Sequence, residues 1–251
     1  MPEIRVENLT HTFGKGTPEA LTVLEGIDLT FPSGSFTSIV GTSGCGKSTL
    51  LKMMAGLFAP SDGTMTLDGE IIEGTDRRRG MVFQQDAVFP WMTVAKNVSY
   101  GPRLRGASRR EQAEIEAKWI DMVGLNGFED RWPRELSGGM RKRVDIGRVY
   151  ANDPDVLLMD EPFGALDAQT KERMQSDLLG TWRQTRKTVI FVTHDLEEAI
   201  FLSDQIVVMS ARPGRIRHIE TVALPRPRAD EIRLTGDFLE IKRKLWEMLD
   251  H

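Results

Sequence analysis

The clearest indication of the fold is the segment Gly41-Thr42-Ser43-Gly44-Cys45-Gly46-Lys47-Ser48-Thr49. The β-branched run Thr37–Val40 comes directly before it, and a helical pattern begins at Thr49. Three glycines let the backbone curl so that successive N–H groups point inward, and the positive end of the following helix adds to them. A strand, a loop of this composition and a helix, in this order, predict a loop that binds phosphate groups.

The side chains at the end of this loop indicate a nucleoside triphosphate with Mg²⁺. Lys47 can bring a mobile positive charge to the β- and γ-phosphates, and the Ser48 hydroxyl can bind Mg²⁺. Cys45 occupies a position where any small side chain would serve. The alternative, a glycine-rich turn with a chance lysine, does not account for the strand before the loop and the helix after it. All nine residues of the loop are therefore candidate ligand-binding residues.

Composition narrows the class of protein. The chain has 251 residues, enough for one or two domains, and its 40% hydrophobic and 28% charged residues are typical of a globular protein. The net charge of −4 argues against a nucleic-acid-binding protein of the basic type, so no nucleic acid is predicted as a partner. The one cysteine excludes an internal disulfide and a zinc site made of cysteines alone. The polar N-terminus and the absence of about 18 consecutive apolar residues predict neither a signal peptide nor a membrane span.

The alternation of strand and helix patterns indicates an α/β fold with a parallel sheet covered on both faces. The predicted strands of this sheet are Ser38–Val40, Met81–Phe83, Val156–Met159, Val189–Thr193 and Gln205–Met209. The predicted helices are Ser48–Phe58, Arg109–Val123, Met140–Ala151, Ala168–Thr185 and Leu196–Phe201. Near the N-terminus, the short runs Ile4–Leu9, Leu21–Leu24 and Ile27–Phe31 predict a separate antiparallel sheet.

Two further regions complete the predicted organisation. Residues 84–140 are mostly helical, with breaks at Gly101-Pro102 and Trp132-Pro133. After an extended spacer at Leu224–Arg228, Asp237–Leu249 has apolar residues at helical spacing. We expect a nucleotide-binding domain at residues 1–215 with a helical subdomain inserted at about 84–140, and a C-terminal extension at 216–251. The helix of the extension is expected to pack on its own domain, although a subunit contact or a regulatory role is also open.

A pair of carboxylates follows a buried strand. Val156–Met159 leads into Asp160 and Glu161, and a buried strand holds such side chains at the carboxyl edge of the sheet, where α/β proteins bind ligands. Asp160 can hold Mg²⁺, and Glu161 can polarise the attacking water. Two acids after a strand alone would more often be a solvated strand end, but the phosphate-binding loop earlier in the chain favours a catalytic pair.

A second anion-binding segment is predicted at Leu136-Ser137-Gly138-Gly139-Met140. Ser137 suits a helix N-cap, and the two glycines leave the backbone N–H groups at a helix start uncovered. A plain helix cap is the alternative. One chain with a phosphate-binding loop and a second such segment suggests that two copies share each nucleotide.

The order of these motifs resembles that of ATP-binding-cassette (ABC) ATPase subunits. Leu136–Met140 is similar to the family signature LSGGQ and lies just upstream of the Asp-Glu strand, as in that family. The resemblance implies a P-loop NTPase parallel-sheet core, an N-terminal antiparallel β subdomain and a helical signature subdomain. It implies ATP and Mg²⁺ as cofactors and covers nearly the whole chain.

The resemblance also implies roles for four residues outside the loops above. Phe13 matches the aromatic residue that stacks on adenine, and Gln84 matches a glutamine that contacts Mg²⁺ or the water and faces the membrane partner; Gln85 is the alternative by one residue. Asp167 ends Gly164-Ala165-Leu166-Asp167, which matches the D-loop that reaches across the dimer. His194 matches the switch histidine at the γ-phosphate.

The chain departs from the family pattern in the signature and in the helix that follows it. Met140 replaces the usual glutamine, and Asp145 and Gly147 stand where the family usually has alanine. Glycine inside a helix costs about 1 kcal/mol relative to alanine. These departures put the affinity of the dimer or the rate of hydrolysis in doubt, but not the class of protein.

The implied mechanism is a nucleotide sandwich between two copies of the chain, one providing the phosphate-binding loop and the other Ser137, Gly138 and Gly139. Gln85–Thr93 (QDAVFPWMT) resembles subunits that serve nitrate, sulfonate and taurine importers, with permease subunits expected near Phe83–Met92 and a substrate-binding protein in the same system. The expected location is peripheral, on the cytoplasmic face of the inner membrane. Other cargoes (aromatic acids, bicarbonate, a thiamine precursor) and a non-transport ABC ATPase are the alternatives.

Overall fold

The structure, a computed structural model, describes residues 2–249. Its larger sheet has six strands in the order β10-β9-β3-β8-β7-β6, all parallel except β10, which pairs antiparallel with β9. Every residue of β3, β7 and β8 is buried, as expected for central strands covered by helices on both faces. The strands are β3 (Phe36–Gly41), β6 (Arg79–Val82), β7 (Val156–Asp160), β8 (Thr188–Val192), β9 (Gln205–Met209) and β10 (Ile216–Thr221).

The predicted antiparallel sheet is present and contains four strands in the order β2-β1-β4-β5. Leu21–Leu24 and Ile27–Phe31, predicted as separate strands, form one strand with irregular pairing to its neighbour. The sequence analysis did not identify β4, in which only two of six residues are buried. The strands are β1 (Ile4–Phe13), β2 (Leu21–Phe31), β4 (Asp62–Leu67) and β5 (Glu70–Ile71).

Eight α-helices lie within residues 2–249, and the predicted α/β class is confirmed. They are α1 (Lys47–Met54), α2 (Val94–Val98), α3 (Tyr100–Leu104), α4 (Arg109–Met122), α5 (Gly138–Ala151), α6 (Ala168–Thr185), α7 (Leu196–Leu202) and α8 (Gly236–Leu249). In this described part of the chain, no helix combines the length and the apolar composition needed to cross a membrane.

Two predicted boundaries differ from the structure for steric reasons. Helix α1 ends at Met54 rather than Phe58, because Gly56 adopts a positive φ of 78°. A Cβ at that position would lie 1.9 Å from the carbonyl oxygen of Gly74. Pro102 is not a break: it lies in the first turn of α3, where proline is tolerated, and the change of direction occurs at Ser99 between α2 and α3.

The C-terminal extension packs on the larger sheet and its helices. Strand β10 joins the larger sheet, and α8 buries Phe238 and Leu245 in the main hydrophobic cluster. The predicted extended spacer is anchored by Arg228, whose guanidinium donates to the carbonyl oxygens of Ile200, Phe201 and Ser203 at 2.9, 3.0 and 2.7 Å. The division of the chain at residue 215 stays a prediction, although β10 forms part of the core sheet.

Candidate functional site

The phosphate-binding loop connects the carboxyl end of β3 to the N-terminus of α1. Gly46 is the N-cap of α1 with a φ of 97°, and within the described chain no side chain caps this helix end. The buried Lys47 ammonium donates to the carbonyl oxygens of Gly41 and Thr42 at 2.8 and 3.1 Å, so its charge lies within the curve of the loop. A helix end without a side-chain cap next to a held cation is a site for phosphate oxygens.

Neighbouring segments support the loop from outside. A Cβ on Gly46 would lie 2.6 Å from Leu24, and a Cβ on Gly214 would lie 2.0 Å from the carbonyl oxygen of Cys45. The Gly214 turn is itself bonded to β2, since its N–H donates to Val23 O at 2.8 Å. The Cys45 side chain is 1% exposed and belongs to a hydrophobic cluster, so only its backbone is available to a ligand.

Ser48 and Asp160 are brought together although they are far apart in sequence. The Ser48 hydroxyl, in the first turn of α1, donates to Asp160 Oδ1 at 2.8 Å at the end of β7. Burial raises the pKa of Asp160, and the Ser48 hydrogen bond partly offsets this. A hydroxyl and a carboxylate oxygen are the hard ligands that Mg²⁺ prefers, so this pair fits that ion.

Two side chains that were predicted separately, those of Gln84 and His194, contact the Glu161 carboxylate. Gln84 Nε2 donates to Glu161 Oε2 at 3.4 Å, and His194 Nδ1 lies 3.2 Å from the same oxygen. His194 follows β8, and its side chain is 66% exposed, so it can also reach a bound ligand. Glu161 has a φ of 45°, and its N–H donates to Val192 O at 2.9 Å, which aims the carboxylate away from the strand. The arrangement can hold a water molecule and accept its proton.

Phe13 lies at the end of β1 and is partly uncovered. Its side chain is 47% exposed, and its ring meets the edge of His11 with centroids 4.6 Å apart. Phe58 supports it from a centroid distance of 6.2 Å. An aromatic ring held at one side and open at the other can stack on a flat ligand.

Ser137, Gly138 and Gly139 form the N-terminus of α5. The Ser137 side chain accepts from Met140 N at 3.2 Å, and Ser137 and Gly138 are exposed. Among the described residues, no hydrogen bond or ion pair links these three residues to the phosphate-binding loop. This helix end is therefore open to a ligand presented by another molecule.

Asp167 has a structural partner within the chain. It is the N-cap of α6, and its side chain accepts from Thr170 N at 3.0 Å. That backbone hydrogen bond lowers the pKa of Asp167. The residue is exposed at the start of α6.

The sequence analysis missed a contact between α5 and the segment that carries Gln84. The buried Lys142 ammonium donates to Phe83 O and, at 3.0 Å, to Gln84 O, and burial lowers the pKa of Lys142. Arg141 Nε donates to Asp86 at 2.6 Å. The sequence did contain a signal for this contact: charged residues occupy positions on the buried side of α5, where a helix that packs through an apolar face alone would have hydrophobic residues.

Comparisons with known proteins agree with this geometry. The model of the ABC transporter family matches residues 24–164. An uncharacterised ABC transporter ATP-binding protein of Methanocaldococcus jannaschii is 48% identical over 98% of this chain and 91% of its own. The chain belongs to the ABC transporter family of ATPases. An ABC ATPase of this kind binds ATP, and the predicted resemblance is confirmed.

Two further relatives of this ABC ATPase have named functions. The nitrate import ATP-binding protein NrtD of Synechocystis sp. is 46% identical over 96% of this chain and 89% of its own. The aliphatic sulfonates import ATP-binding protein SsuB of Bacillus cereus is 41% identical over 98% and 96%. Among solved structures, a dimeric ATP-binding cassette in a post-hydrolysis state with ADP and Pi has a TM-score of 0.78 and 31% identity, over 88% of this chain and all of that one.

Proposed function

We propose that this ABC ATPase binds MgATP between two copies of itself and powers an importer of a small anion. The observation that carries the catalytic part is the convergence of Gln84 and His194 on the Glu161 carboxylate. These three side chains come from three different segments of the chain and meet next to the phosphate-binding loop. Their convergence favours a shared catalytic role.

Each residue of the site has a proposed role in holding or cleaving the nucleotide. The loop from Gly41 to Thr49 binds the phosphates, with Lys47 as its charge, and Phe13 stacks on adenine. Ser48, Asp160 and Gln84 would hold Mg²⁺, which supplies charge neutralisation at the phosphates when bound. Glu161 accepts a proton from the attacking water, and His194 contacts the γ-phosphate.

The second copy is proposed to complete the site. Ser137, Gly138 and Gly139 present backbone N–H groups that have no hydrogen-bond acceptor within residues 2–249, and Asp167 lies on the exposed start of α6. Closure would exclude water and strengthen these contacts to the phosphates. The dimeric cassettes among the structural neighbours support this arrangement.

Permease subunits are proposed to dock near Phe83–Met92. Trp91 is 66% exposed, and Phe89 packs against Tyr100 at a centroid distance of 4.6 Å. A cleft of about 520 Å³ beside Phe89 combines apolar side chains with arginines such as Arg79 and Arg148. Such a cleft suits a short amphipathic segment of another subunit. The proposed location is accordingly peripheral, on the cytoplasmic face of the inner membrane, with a substrate-binding protein in the same system.

The relatives named for nitrate, sulfonates and taurine favour a small anion as cargo. Contacts to the cargo lie outside this chain, so the choice among anions belongs to the permease and the binding protein. Co-expression with the permease and transport assays in vesicles would test the importer role. ATP turnover without any copurifying permease, together with tight binding of nucleic acid, would favour a non-transport ATPase instead.

The catalytic proposal is tested by Glu161→Gln, which keeps the shape of the side chain but removes the base. We expect MgATP binding to persist, a dimer to accumulate in size-exclusion chromatography, and kcat to fall by about 10²–10⁴-fold. Glu172→Gln, an exposed position on α6, is the matched control and should leave kcat unchanged. Turnover close to that of the unmodified chain would remove Glu161 from the role of base.

A further inference from the structure

A largely buried polar network lies between α6 and α7, next to the loop that carries His194. Its centre is Glu198, which is 4% exposed. Lys171 Nζ lies 2.6 Å from Glu198 Oε1, and Gln175 Nε2 donates to the same oxygen at 3.2 Å. The Thr193 hydroxyl donates to Glu198 Oε2. We call these four residues, together with Asp195, the Glu198 network.

The Glu198 network holds both neighbours of His194. Thr193, on one side, donates to Glu198 and accepts from the backbone N–H of Asp195 at 3.0 Å. Asp195, on the other side, pairs with Lys171 at 2.7 Å and caps α7. The backbone of His194 is therefore fixed on both sides, while its ring is exposed and reaches Glu161. A residue placed in this way depends on the network for its position rather than on contacts of its own ring.

Arg233, from the C-terminal extension, completes this network. Arg233 Nη2 donates to Gln175 Oε1 at 2.6 Å, and its guanidinium lies 4.0 Å from the ring of Phe201. Arginine is only a donor and the Glu198 carboxylate only an acceptor, so the two together determine which way the Gln175 amide points. Gln175 is 2% exposed, and no water is needed to explain its orientation.

Arg233 also balances charge. The network contains the carboxylates of Glu198 and Asp195 but only one cation of its own, Lys171. Arg233, whose guanidinium also lies 3.9 Å from Asp230, brings a second positive charge to the far side of Gln175. Without it, the Gln175 amide could turn over and present its oxygen to Glu198, which would weaken the hold on Thr193.

We propose that Arg233 is a positioning residue for His194, acting through Gln175 and Glu198. The inference rests on the proposed role of His194 at the γ-phosphate. It assigns the extension a specific part in the reaction: its short helical turn Asp230–Leu234 sets the alignment of the loop that carries His194. Displacement of this turn lowers the rate of hydrolysis without touching the nucleotide.

The test is Arg233→Met in the full-length chain, with steady-state ATP turnover as the readout. We expect kcat to fall by about fivefold to tenfold while KM for MgATP changes less than twofold, because alignment is lost but binding is not. Arg243→Ala is the matched control, since Arg243 is an exposed arginine of the same extension, and its ion pair within residues 2–249 is with Glu247 along α8. It should leave both constants unchanged. Arg233→Lys, which keeps the charge and a donor, should recover part of kcat.

Gln175→Met tests whether the effect of Arg233 on His194 passes through Gln175. It should lower kcat to a similar degree, and combining it with Arg233→Met should add little, because both interrupt one chain of contacts. Hydrogen exchange gives a readout on any variant that folds poorly: the amides of residues 193–195 should exchange faster in Arg233→Met than in Arg243→Ala.

Three outcomes would overturn the inference. The first is a kcat for Arg233→Met equal to that of Arg243→Ala, the second is fully additive effects with Gln175→Met, and the third is unchanged exchange at residues 193–195. His194→Ala, measured in the same assay, separates this from the parent proposal. If His194→Ala turns over normally, the role of His194 itself fails; if it is inactive while Arg233→Met is normal, only the present inference fails.

Discussion

Glu161 combines an unusual backbone conformation with the central position in the site. A non-glycine residue at a φ of 45° costs of order 1 kcal/mol or more, and such residues persist where the surrounding structure compensates. Here the compensation is a backbone hydrogen bond to Val192 of the neighbouring strand and two side-chain contacts to the carboxylate. This backbone conformation directs the Glu161 carboxylate toward the end of β7. A residue that continued the extended conformation of the strand would not direct it there.

Asp160 is expected to lower the stability of the nucleotide-free protein. Because burial raises its pKa, the native state binds the proton more tightly than the unfolded state, so the free energy of unfolding falls as pH rises from the ordinary pKa through the raised one. At pH 7.5, Asp160→Asn should therefore raise the free energy of unfolding by about 1 kcal/mol, or Tm by about 2–4 °C. Thermal unfolding of the nucleotide-free chain measures this.

The same variant should gain less stability than the unmodified chain when Mg²⁺ and ATP are added, since a metal ligand is lost. Asp130→Asn, at an exposed position, is the control and should change neither quantity. A lower Tm for nucleotide-free Asp160→Asn at pH 7.5 would show that burial of this carboxylate is not destabilising.

Among the helices, α5 carries a glycine in its interior, and the structure makes the predicted departure from the family pattern at Gly147 testable. Gly147 lies in the middle of the helix, and a Cβ there would meet Val123 at 3.5 Å and Val98 at 3.6 Å, which is ordinary contact. Gly147→Ala should therefore stabilise the chain by about 0.5–1 kcal/mol in chemical denaturation, with ATP turnover unchanged. The alanine of other family members would fit this site.

Gly180→Ala, on α6, provides the comparison, because a Cβ there would meet nothing within 4 Å. It should gain the helix propensity but no buried contact. Gly56→Ala should instead destabilise the chain, since it combines a positive φ with a close approach to Gly74. A destabilised Gly147→Ala would mean that the packing between α5 and its neighbours has no room for a methyl group.

Arg228 stabilises the end of α7, the helix that begins just after His194. Burial lowers the pKa of Arg228 to about 10, so it is charged at neutral pH. Its guanidinium donates to five carbonyl oxygens, three of them at the end of α7. Arg228→Met should cost about 2–3 kcal/mol in the free energy of unfolding, because buried acceptors lose a charged donor.

Arg217→Met is the matched control for this prediction. Arg217 also donates to a backbone carbonyl, that of Met248, but it is exposed, and its loss should change the free energy of unfolding by less than about 0.5 kcal/mol. Equal losses for the two variants would contradict the special position of Arg228.

The elements predicted well from sequence are those whose causes are local. The strand, loop and helix around Gly41–Thr49 follow from glycine and hydrophobic pattern alone, and β7 with Asp160 and Glu161 follows from an apolar run. Strand β10 was missed because its residues alternate between half-buried and exposed at the edge of the sheet. The end of α1 and the Glu198 network were missed because they depend on partners far away in sequence, such as Gly74 for Gly56 and Arg233 for Gln175.

For the complete protein, the proposed function divides the nucleotide site between two surfaces of one chain. Within residues 2–249, the phosphate-binding loop and the open N-terminus of α5 are not hydrogen-bonded to each other. Two chains that are each defective in one of these surfaces should therefore be able to form one intact site together. Lys47→Ala disables the loop, and Gly138→Asp places a negative charge where the phosphate would bind. Each variant alone should lack turnover, whereas an equimolar mixture should recover about a quarter of the normal rate if chains pair at random and each composite site acts independently.

Steady-state ATPase measurements on the mixture test this prediction, with each variant mixed with itself as the control. A mixture no more active than its components would contradict the shared site or require that both sites be intact. Size-exclusion chromatography in the presence of ATP would distinguish a failure to pair from a failure of chemistry.

The contact between Gly214 and Cys45 has a practical consequence for dissecting this chain. The family model ends at residue 164, which invites expression of a minimal nucleotide-binding fragment. The phosphate-binding loop, however, packs against the turn at Gly214, well beyond that end. The contact is so close that a Cβ on Gly214 would lie 2.0 Å from the carbonyl oxygen of Cys45. Truncation at residue 164 would remove this turn together with β8 and β9, which flank β3 in the sheet, so domain boundaries drawn for engineering must extend at least through residues 212–214.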